Sequence, residues 1–162
     1  MVKYNNNTIR RQDRLLTETE AITLLKHGEY GFLSMTDEDN SAYGIPINYA
    51  WDGDNKIYFH CALEGKKLRC IAINPQLSLC IVGATKIIPE KFTTSYKSIV
   101  IRCLATTTLT PEQRMHALDL IMKKYSPENI KIGKKYAQNS FQRTAIVCLE
   151  IIEMSGKCKI VE

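Results

Sequence analysis

The sequence predicts a single α+β domain in which antiparallel strands form a closed or nearly closed barrel, accompanied by a few short helices. Most apolar stretches are short, and several alternate apolar with polar residues, as strands do. Asp52-Gly53 is a strong hairpin signal between two of these stretches. The length of 162 residues suits one domain, 1–162, with one sizeable core.

Seven strands are predicted from alternation and from β-branched content. They cover residues 30–35, 42–51, 56–60, 77–82, 98–109, 144–153 and 157–161, with Ser155-Gly156 as the turn between the last two. The stretch 98–109 is almost continuously apolar around Ile99 to Leu104, which indicates burial on both faces. One small chain cannot easily cover so much apolar surface, and we therefore expect a homodimer.

Four helices are predicted from their start and stop signals. Thr17 with Glu20 forms a capping box before an apolar stripe that ends at Gly28. A short helix follows Gly65 and stops before Asn74-Pro75. Thr110 with Gln113 forms a second capping box, and the helix after it carries a 3.6-residue apolar period to Tyr125. A last helix begins at Ser126-Pro127 and runs to about residue 138.

Composition excludes several classes of function. The net charge of +5 is modest and the basic residues form no long run, so we expect no nucleic-acid partner, whereas a small phosphorylated ligand suits the local clusters. No apolar run is long enough to span a bilayer, and residues 1–14 are polar, which indicates a mobile arm or an extension laid over a partner. The six cysteines form no Cys-x-x-Cys pair, and the sequence shows no signal peptide. We therefore expect reduced thiols, a cytoplasmic location and no metal site.

The stretch from residue 57 to 68 has the components of a phosphate site. It reads as a strand, a loop and the start of a helix. Gly65 would let the backbone approach a ligand closely, the first helical amides would point at it, and Lys66 and Lys67 would add positive charge. The competing interpretation is a solvated lysine pair on an exposed helix start.

Three segments together resemble the nitroimidazole-resistance proteins of the pyridoxamine 5'-phosphate oxidase-like superfamily. They are residues 43–49 (YGIPINY), residues 57–68 (IYFHCALEGKKL) and residues 82–83 followed by 89–99 (PEKFTTSYKSI), and the resemblance extends from about Arg10 to Val161. It implies an FMN-binding split β-barrel, an antiparallel Greek-key barrel with a few peripheral helices. It also implies a homodimer with the flavin at the subunit interface.

The resemblance assigns cofactor contacts residue by residue. Those along the flavin ring are Pro46, Ile47, Asn48 and Tyr49; those over the ribityl chain and ring edge are His60, Cys61 and Ala62; those at the phosphate end are Gly65, Lys66 and Lys67; those that reach the flavin from the partner subunit are Phe92, Thr94 and Ser98. Alternation places Ile47 and Tyr49 on one face of their strand and Pro46 and Asn48 on the other. Asn48 is then either a hydrogen-bond partner of the ring or a polar residue at a strand edge.

His60 is the one candidate catalytic residue. It ends a strand beside the predicted phosphate loop, where it is either a group that touches flavin or substrate or a hydrogen-bonding filler. Cys61 departs from the small or hydroxyl residues usual at its position, and is either tolerated there or redox-active.

The resemblance implies a flavin-dependent oxidoreductase. FMN, or alternatively FAD, would take hydride from NADH or NADPH and reduce a nitroaromatic or related small molecule, so no catalytic triad is needed. The alternative is a non-catalytic flavin- or haem-binding split-barrel protein.

Overall fold

The computed structural model describes residues 2–161, and within this range the chain forms eight strands and four α-helices. The strands are β1 (Gly31–Thr36), β2 (Ala42–Ile47), β3 (Ala50–Trp51), β4 (Lys56–Cys61), β5 (Gln76–Val82), β6 (Lys86–Ile88), β7 (Thr93–Thr106) and β8 (Ala145–Lys159). The helices are α1 (Glu18–His27), α2 (Lys66–Ile73), α3 (Pro111–Tyr125) and α4 (Ile130–Ser140).

The strands form one antiparallel sheet that closes on itself. Its order is β2-β1-β5-β7-β8-β4-β3, with β6 paired to β7 outside this path. The two end strands, β2 and β3, are consecutive in the chain and only Asn48 and Tyr49 separate them. The stretch 42–51 therefore pairs with β1 through its first half and with β4 through its second half, which closes the barrel. The predicted α+β split-barrel class is confirmed.

The barrel interior is filled by one face of each strand. Leu33, Leu79, Ile101 and Phe59 are at most 1% exposed and belong to one core cluster, which α1 completes with Leu25. The inward side chains alternate with outward ones, as the strand period of two requires. Both predicted capping boxes are present, and Gly28 ends α1 as expected.

One outer face of the barrel is covered by helices. Tyr58 of β4 and Ile146 and Cys148 of β8 point outward and are buried under Ala117 of α3 and Ala137 of α4. The two helices form the connection between β7 and β8. The outer face of β1, β5 and β7 has no such cover from the described residues, and large apolar side chains stay exposed there.

Within one chain, only one face of the stretch 98–109 is buried, and burial of both faces stays a prediction that depends on the homodimer. In β7, Ile99, Ile101 and Cys103 are buried, whereas Val100 and Leu104 are 43% and 42% exposed. The strand spans Thr93–Thr106, so it begins and ends earlier than predicted. It begins earlier because its first residues pair with β6. The apolar surplus that the sequence indicated is real, but it lies on the bare outer face.

The predicted turn at Ser155-Gly156 is wrong, because β8 runs unbroken from Ala145 to Lys159. Gly156 is small for packing: a Cβ atom there would lie 2.6 Å from the hydroxyl of Tyr4. The N-terminal segment lies against β8 of its own chain, where the amide of Gly156 donates to the side chain of Asn6 at 2.9 Å. The glycine therefore serves the packing of this segment and not a turn.

Candidate functional site

The barrel is split beside Asn48. Ala50 pairs with Tyr58 across β3 and β4, and the same register would place Asn48 opposite His60 two residues further on. The ladder stops before that point, and the backbone amide of Tyr49 donates instead to the hydroxyl of Tyr125, at 3.0 Å. Asn48 and His60, which are both exposed, therefore lie on the two sides of an opening in the barrel wall.

The strand registers extend this opening into a row of side chains on the outer face. Gly31 pairs with Ile47, so the next residues along, Tyr30 and Asn48, are neighbours. The β1–β5 register places Tyr30 beside Val82, and Val82 pairs directly with Ser98. We call this set the outer row: His60, Asn48, Tyr30, Val82 and Ser98. From Asn48 to Ser98 it crosses three strand spacings, about 14 Å along the barrel surface, and the opening separates Asn48 from His60.

The start of α2 lies next to the end of β4 that carries His60. Gly65 precedes the helix with φ 157° and ψ 161°, a conformation that other residues rarely adopt. No side chain caps the helix, and a Cβ atom at Gly65 would meet nothing within 4 Å. The first amides of a helix have no partner inside it. Open space therefore adjoins a helix start that carries positive potential.

Lys67 is the cation that stays available at this helix start. Lys66 forms an ion pair with Asp37 and lies 4.6 Å from the centre of the Tyr43 ring. Arg69, one turn on, pairs with two acidic side chains, Glu38 and Glu64. Lys67 forms no ion pair with any residue between 2 and 161, and its charge acts on His60 and Cys61. Of the predicted lysine pair, Lys67 is thus the one free to meet an anion.

His60 is held in its neutral form. Partial burial lowers the pKa of its imidazole below the usual value, and the positive charge of Lys67 lowers it further. A neutral imidazole has one donor and one acceptor nitrogen, so it can offer either to a bound molecule. Burial raises the pKa of the Cys61 thiol, although Lys67 opposes that rise. Cys61 is therefore a thiol at neutral pH, which does not favour a nucleophilic role.

The structure separates the predicted residues into groups. Pro46, Asn48, His60 and Ala62 are exposed around the opening, whereas Ile47 and Tyr49 are buried in the core and could reach a ligand only through their backbone. Ser98 belongs to the outer row.

Phe92 and Thr94 lie away from the outer row. The first three residues of β7 pair only with β6, and Thr94 lies about 13 Å along the strand from Ser98. Phe92 is at the turn of this ribbon, 97% exposed, with a left-handed φ of 49°. One chain does not bring these two residues to His60.

A cavity of about 890 Å³ adjoins the outer row at Tyr30 and Val82. It lies between α1 and the strand ends, and its wall includes His27, Tyr96 and Lys97. Lys97 donates to Glu20 at 2.9 Å, and Glu20 is also part of the first capping box. None of the predicted site residues lines this cavity.

The sequence did not reveal two residues of this region, Tyr30 and Tyr125. Tyr30 is the first residue of a predicted strand, and Tyr125 ends the apolar period of α3, so each pattern indicates an ordinary structural residue. Within residues 2–161, no group of three or more His, Cys, Asp or Glu side chains is arranged to hold a metal ion. No helix in that range is long and apolar enough to cross a membrane.

Comparison with known proteins gives one family and several similar structures. The Pyridoxamine 5'-phosphate oxidase family matches residues 17–158. A protein from Bacteroides thetaiotaomicron, provisionally described as a 5-nitroimidazole antibiotic resistance protein, has a TM-score of 0.76 at 19% identity, covering 90% of this chain and 86% of that one. No curated protein matches the sequence.

Two further structures carry cofactors in their descriptions. The FAD and heme binding protein from Mycobacterium smegmatis has a TM-score of 0.71 at 12% identity, covering 93% of this chain and 75% of that one. An FAD-binding protein from Mesorhizobium loti has a TM-score of 0.61 at 19% identity, covering 90% and 95%. At these identities the likeness shows the fold.

Proposed function

The chain belongs to the Pyridoxamine 5'-phosphate oxidase family, and from that premise we propose that it binds a flavin at the barrel opening. The observation that carries the proposal is the start of α2: an uncapped helix, an open glycine and an unpaired lysine, all next to His60. These features fit the phosphate of FMN. FAD would also fit a site open at that end, and two similar structures are described as binding FAD.

The outer row would then hold the ring system. Asn48 offers an amide that can donate and accept, and Tyr30 beside it is 58% exposed and offers an aromatic face. When bound, the flavin would supply hydride transfer from NADH or NADPH to a nitroaromatic or related small molecule. The likeness to the Bacteroides protein favours that acceptor class. His60, neutral and exposed, would hydrogen-bond the ring or the acceptor.

We further propose that two copies of the chain form this site. The bare outer face carries Phe32, Val82, Val100 and Leu104, and Ile152 of the neighbouring β8 is exposed as well, each between 42% and 55%. Exposed apolar side chains gathered on one face, here with Arg102 between Val100 and Leu104, are typical of an interface. In a two-fold dimer through this face, the β6–β7 hairpin of each chain, which carries Phe92 and Thr94, would lie against the other copy. The two residues could then contact the flavin bound by the other copy.

The proposed activity is tested by purifying the protein and identifying the cofactor it releases. A yellow protein that releases FMN, and that oxidises NADH or NADPH faster when a nitroimidazole is added, is the expected result. The second candidate is a flavin- or haem-binding protein without turnover, which the description of the Mycobacterium smegmatis neighbour favours. A bound cofactor with no nicotinamide oxidation would select it, and a colourless protein that takes up neither added flavin nor added haem would overturn both.

The dimer is tested by light scattering on the flavin-loaded protein. Val100→Lys adds a charge to the bare face and should yield monomers that lose flavin, whereas Ile132→Lys, a matched change at an exposed isoleucine of α4, should leave the dimer intact. A wild-type monomer that keeps its flavin would refute the dimer.

A further inference from the structure

The hydroxyl of Tyr125 lies among three backbone groups at the point where the barrel splits. It accepts from the amide of Tyr49 at 3.0 Å and lies 3.0 Å from the carbonyl oxygen of the same residue. It lies 2.5 Å from the carbonyl oxygen of Glu29. Its single hydrogen can be donated to only one carbonyl at a time, and the shorter contact favours Glu29.

This contact takes the place of a strand neighbour. Tyr49 is fully buried, and buried backbone groups need hydrogen-bond partners. One residue later in the chain, Ala50 pairs with Tyr58 of β4, so continued pairing would give Tyr49 a partner in β4 as well. Because the Tyr125 hydroxyl satisfies Tyr49, the strand can leave β4 without an unpaired amide in the core.

The side chain of Tyr49 is held from two sides. Its hydroxyl donates to the carbonyl of Leu25 in α1 at 2.7 Å. The ammonium group of Lys124, the residue before Tyr125, lies 3.5 Å from the centre of its ring. These two contacts hold the ring of Tyr49 in the core, and strand alternation then directs Asn48, the residue before it, to the outer face.

We propose that Tyr125 is a positioning residue of the flavin site: its hydroxyl holds the barrel open at Tyr49 and thereby sets Asn48 against the ring of the ligand. This role rests on the proposed function. The contact between the Tyr125 hydroxyl and the carbonyl of Glu29 also holds the backbone beside Tyr30, the next member of the outer row. The cavity wall includes Glu29 and Tyr30, so one hydroxyl connects the opening and the cavity.

The test is Tyr125→Phe, which removes one oxygen atom and keeps the ring. Tyr136→Phe is the matched control, because Tyr136 is 71% exposed on α4. Two quantities are measured on the full chain: hydrogen exchange at the Tyr49 amide without flavin, and the affinity and visible absorption spectrum of added FMN. We expect exchange at Tyr49 to become about ten-fold faster, since its acceptor is gone. FMN should bind about ten-fold more weakly, with a shifted absorption band.

Faster exchange at Tyr49 with unchanged FMN affinity and spectrum would show a purely structural hydroxyl and overturn the proposal. If wild-type protein binds no FMN, the proposed function fails, whatever the exchange data show. Should Tyr125→Phe not fold, exchange in the wild type still tests the first step: the Tyr49 amide must be as protected as its paired neighbours in β3 and β4, and rapid exchange there would refute the inference.

Discussion

Helices α3 and α2 begin in opposite ways. At the start of α3, Thr110 accepts from the amide of Gln113, and the Gln113 side chain accepts from the amide of Thr110, at 3.3 and 2.9 Å. At the start of α2, Gly65 offers no side chain, and the positive charge of Lys67 is unfavourable beside the positive end of the helix dipole. The start of α3 is satisfied by side chains of the chain itself, whereas the start of α2 has no capping side chain.

The magnitudes show why this difference indicates function. A capping side chain stabilises a helix by about 1 kcal/mol, and an unfavourable charge at a helix start costs some tenths more. The chain caps α1 and α3 and leaves both α2 and α4 without a capping side chain. The open start of α2 differs from that of α4 in lying beside His60 and an open glycine, where an anion could recover the lost stability. If α2 is built for a ligand and α3 for stability, substitutions at the two helix starts should have different consequences.

The largest effect is expected at His60, beside the open start. His60→Ala should keep the fold and most of the flavin affinity, but lower turnover by roughly ten- to a thousand-fold, as the loss of a positioned acid–base group does. Turnover per flavin-loaded molecule and thermal stability are measured on one preparation. A less stable variant with full specific activity would make His60 a structural filler and remove it from the site.

The pH dependence of turnover sharpens this test. Burial and Lys67 both lower the pKa of His60, so the acid limb of the pH profile should fall below the imidazole's usual 6.5. Removing the positive charge in Lys67→Ala should move that limb upward, since the imidazolium then has no cation beside it. The limb should stay below 6.5, because burial is the larger cause.

Flavin affinity should separate the two lysines. Lys67→Ala should weaken FMN retention by about 1.5–3 kcal/mol, the range for a charge-assisted contact, which is roughly ten- to a hundred-fold in Kd. Lys66→Ala should change Kd much less, because Lys66 is already paired with Asp37. Equilibrium titration with FMN measures both. Equal affinities for Lys67→Ala and wild type would show that the helix start is only solvated surface.

Gly65→Ala tests the backbone at the same place. The conformation at φ 157° should cost an alanine about 1–3 kcal/mol, although the Cβ atom itself meets open space. We expect lower stability in chemical denaturation together with weaker FMN binding, since α2 must shift to relieve the strain. Gly53→Ala, also at positive φ but in the exposed β3–β4 turn, is the control and should lose stability alone.

Most of the fold follows from local sequence rules. Alternation found β1 and β5, and the two capping boxes and Asn74-Pro75 marked the helix ends correctly. The sequence missed what depends on distant contacts. The stretch 42–51 reads as one strand, but the Tyr125 hydroxyl allows it to change neighbours at Tyr49. Gly156 reads as a turn residue, but it makes room for Tyr4.

The family was predicted correctly from three short segments, and its match to residues 17–158 confirms it. The roles of the site residues stay a prediction. The positions of some of them can be predicted from the sequence alone, and those of others cannot. Pro46 and Asn48 face outward because strands alternate, which needs no structure. Lys66 is paired with Asp37, which lies 29 residues away in the chain, whereas Lys67 is free. Two neighbouring lysines look alike in the sequence, so this difference could not be predicted.

The smallest effect is expected at the start of α3, and it completes the comparison. Thr110→Ala removes the hydroxyl that accepts from the Gln113 amide, while its own backbone amide can still donate to the Gln113 side chain. The free energy of unfolding should fall by about 1 kcal/mol. FMN affinity should not change, because Thr110 lies in neither the outer row nor the start of α2. Urea denaturation and FMN titration of the same sample measure the two quantities. If Thr110→Ala weakens FMN binding as much as Lys67→Ala does, the helix starts are not functionally distinct, and the open start of α2 has no special role.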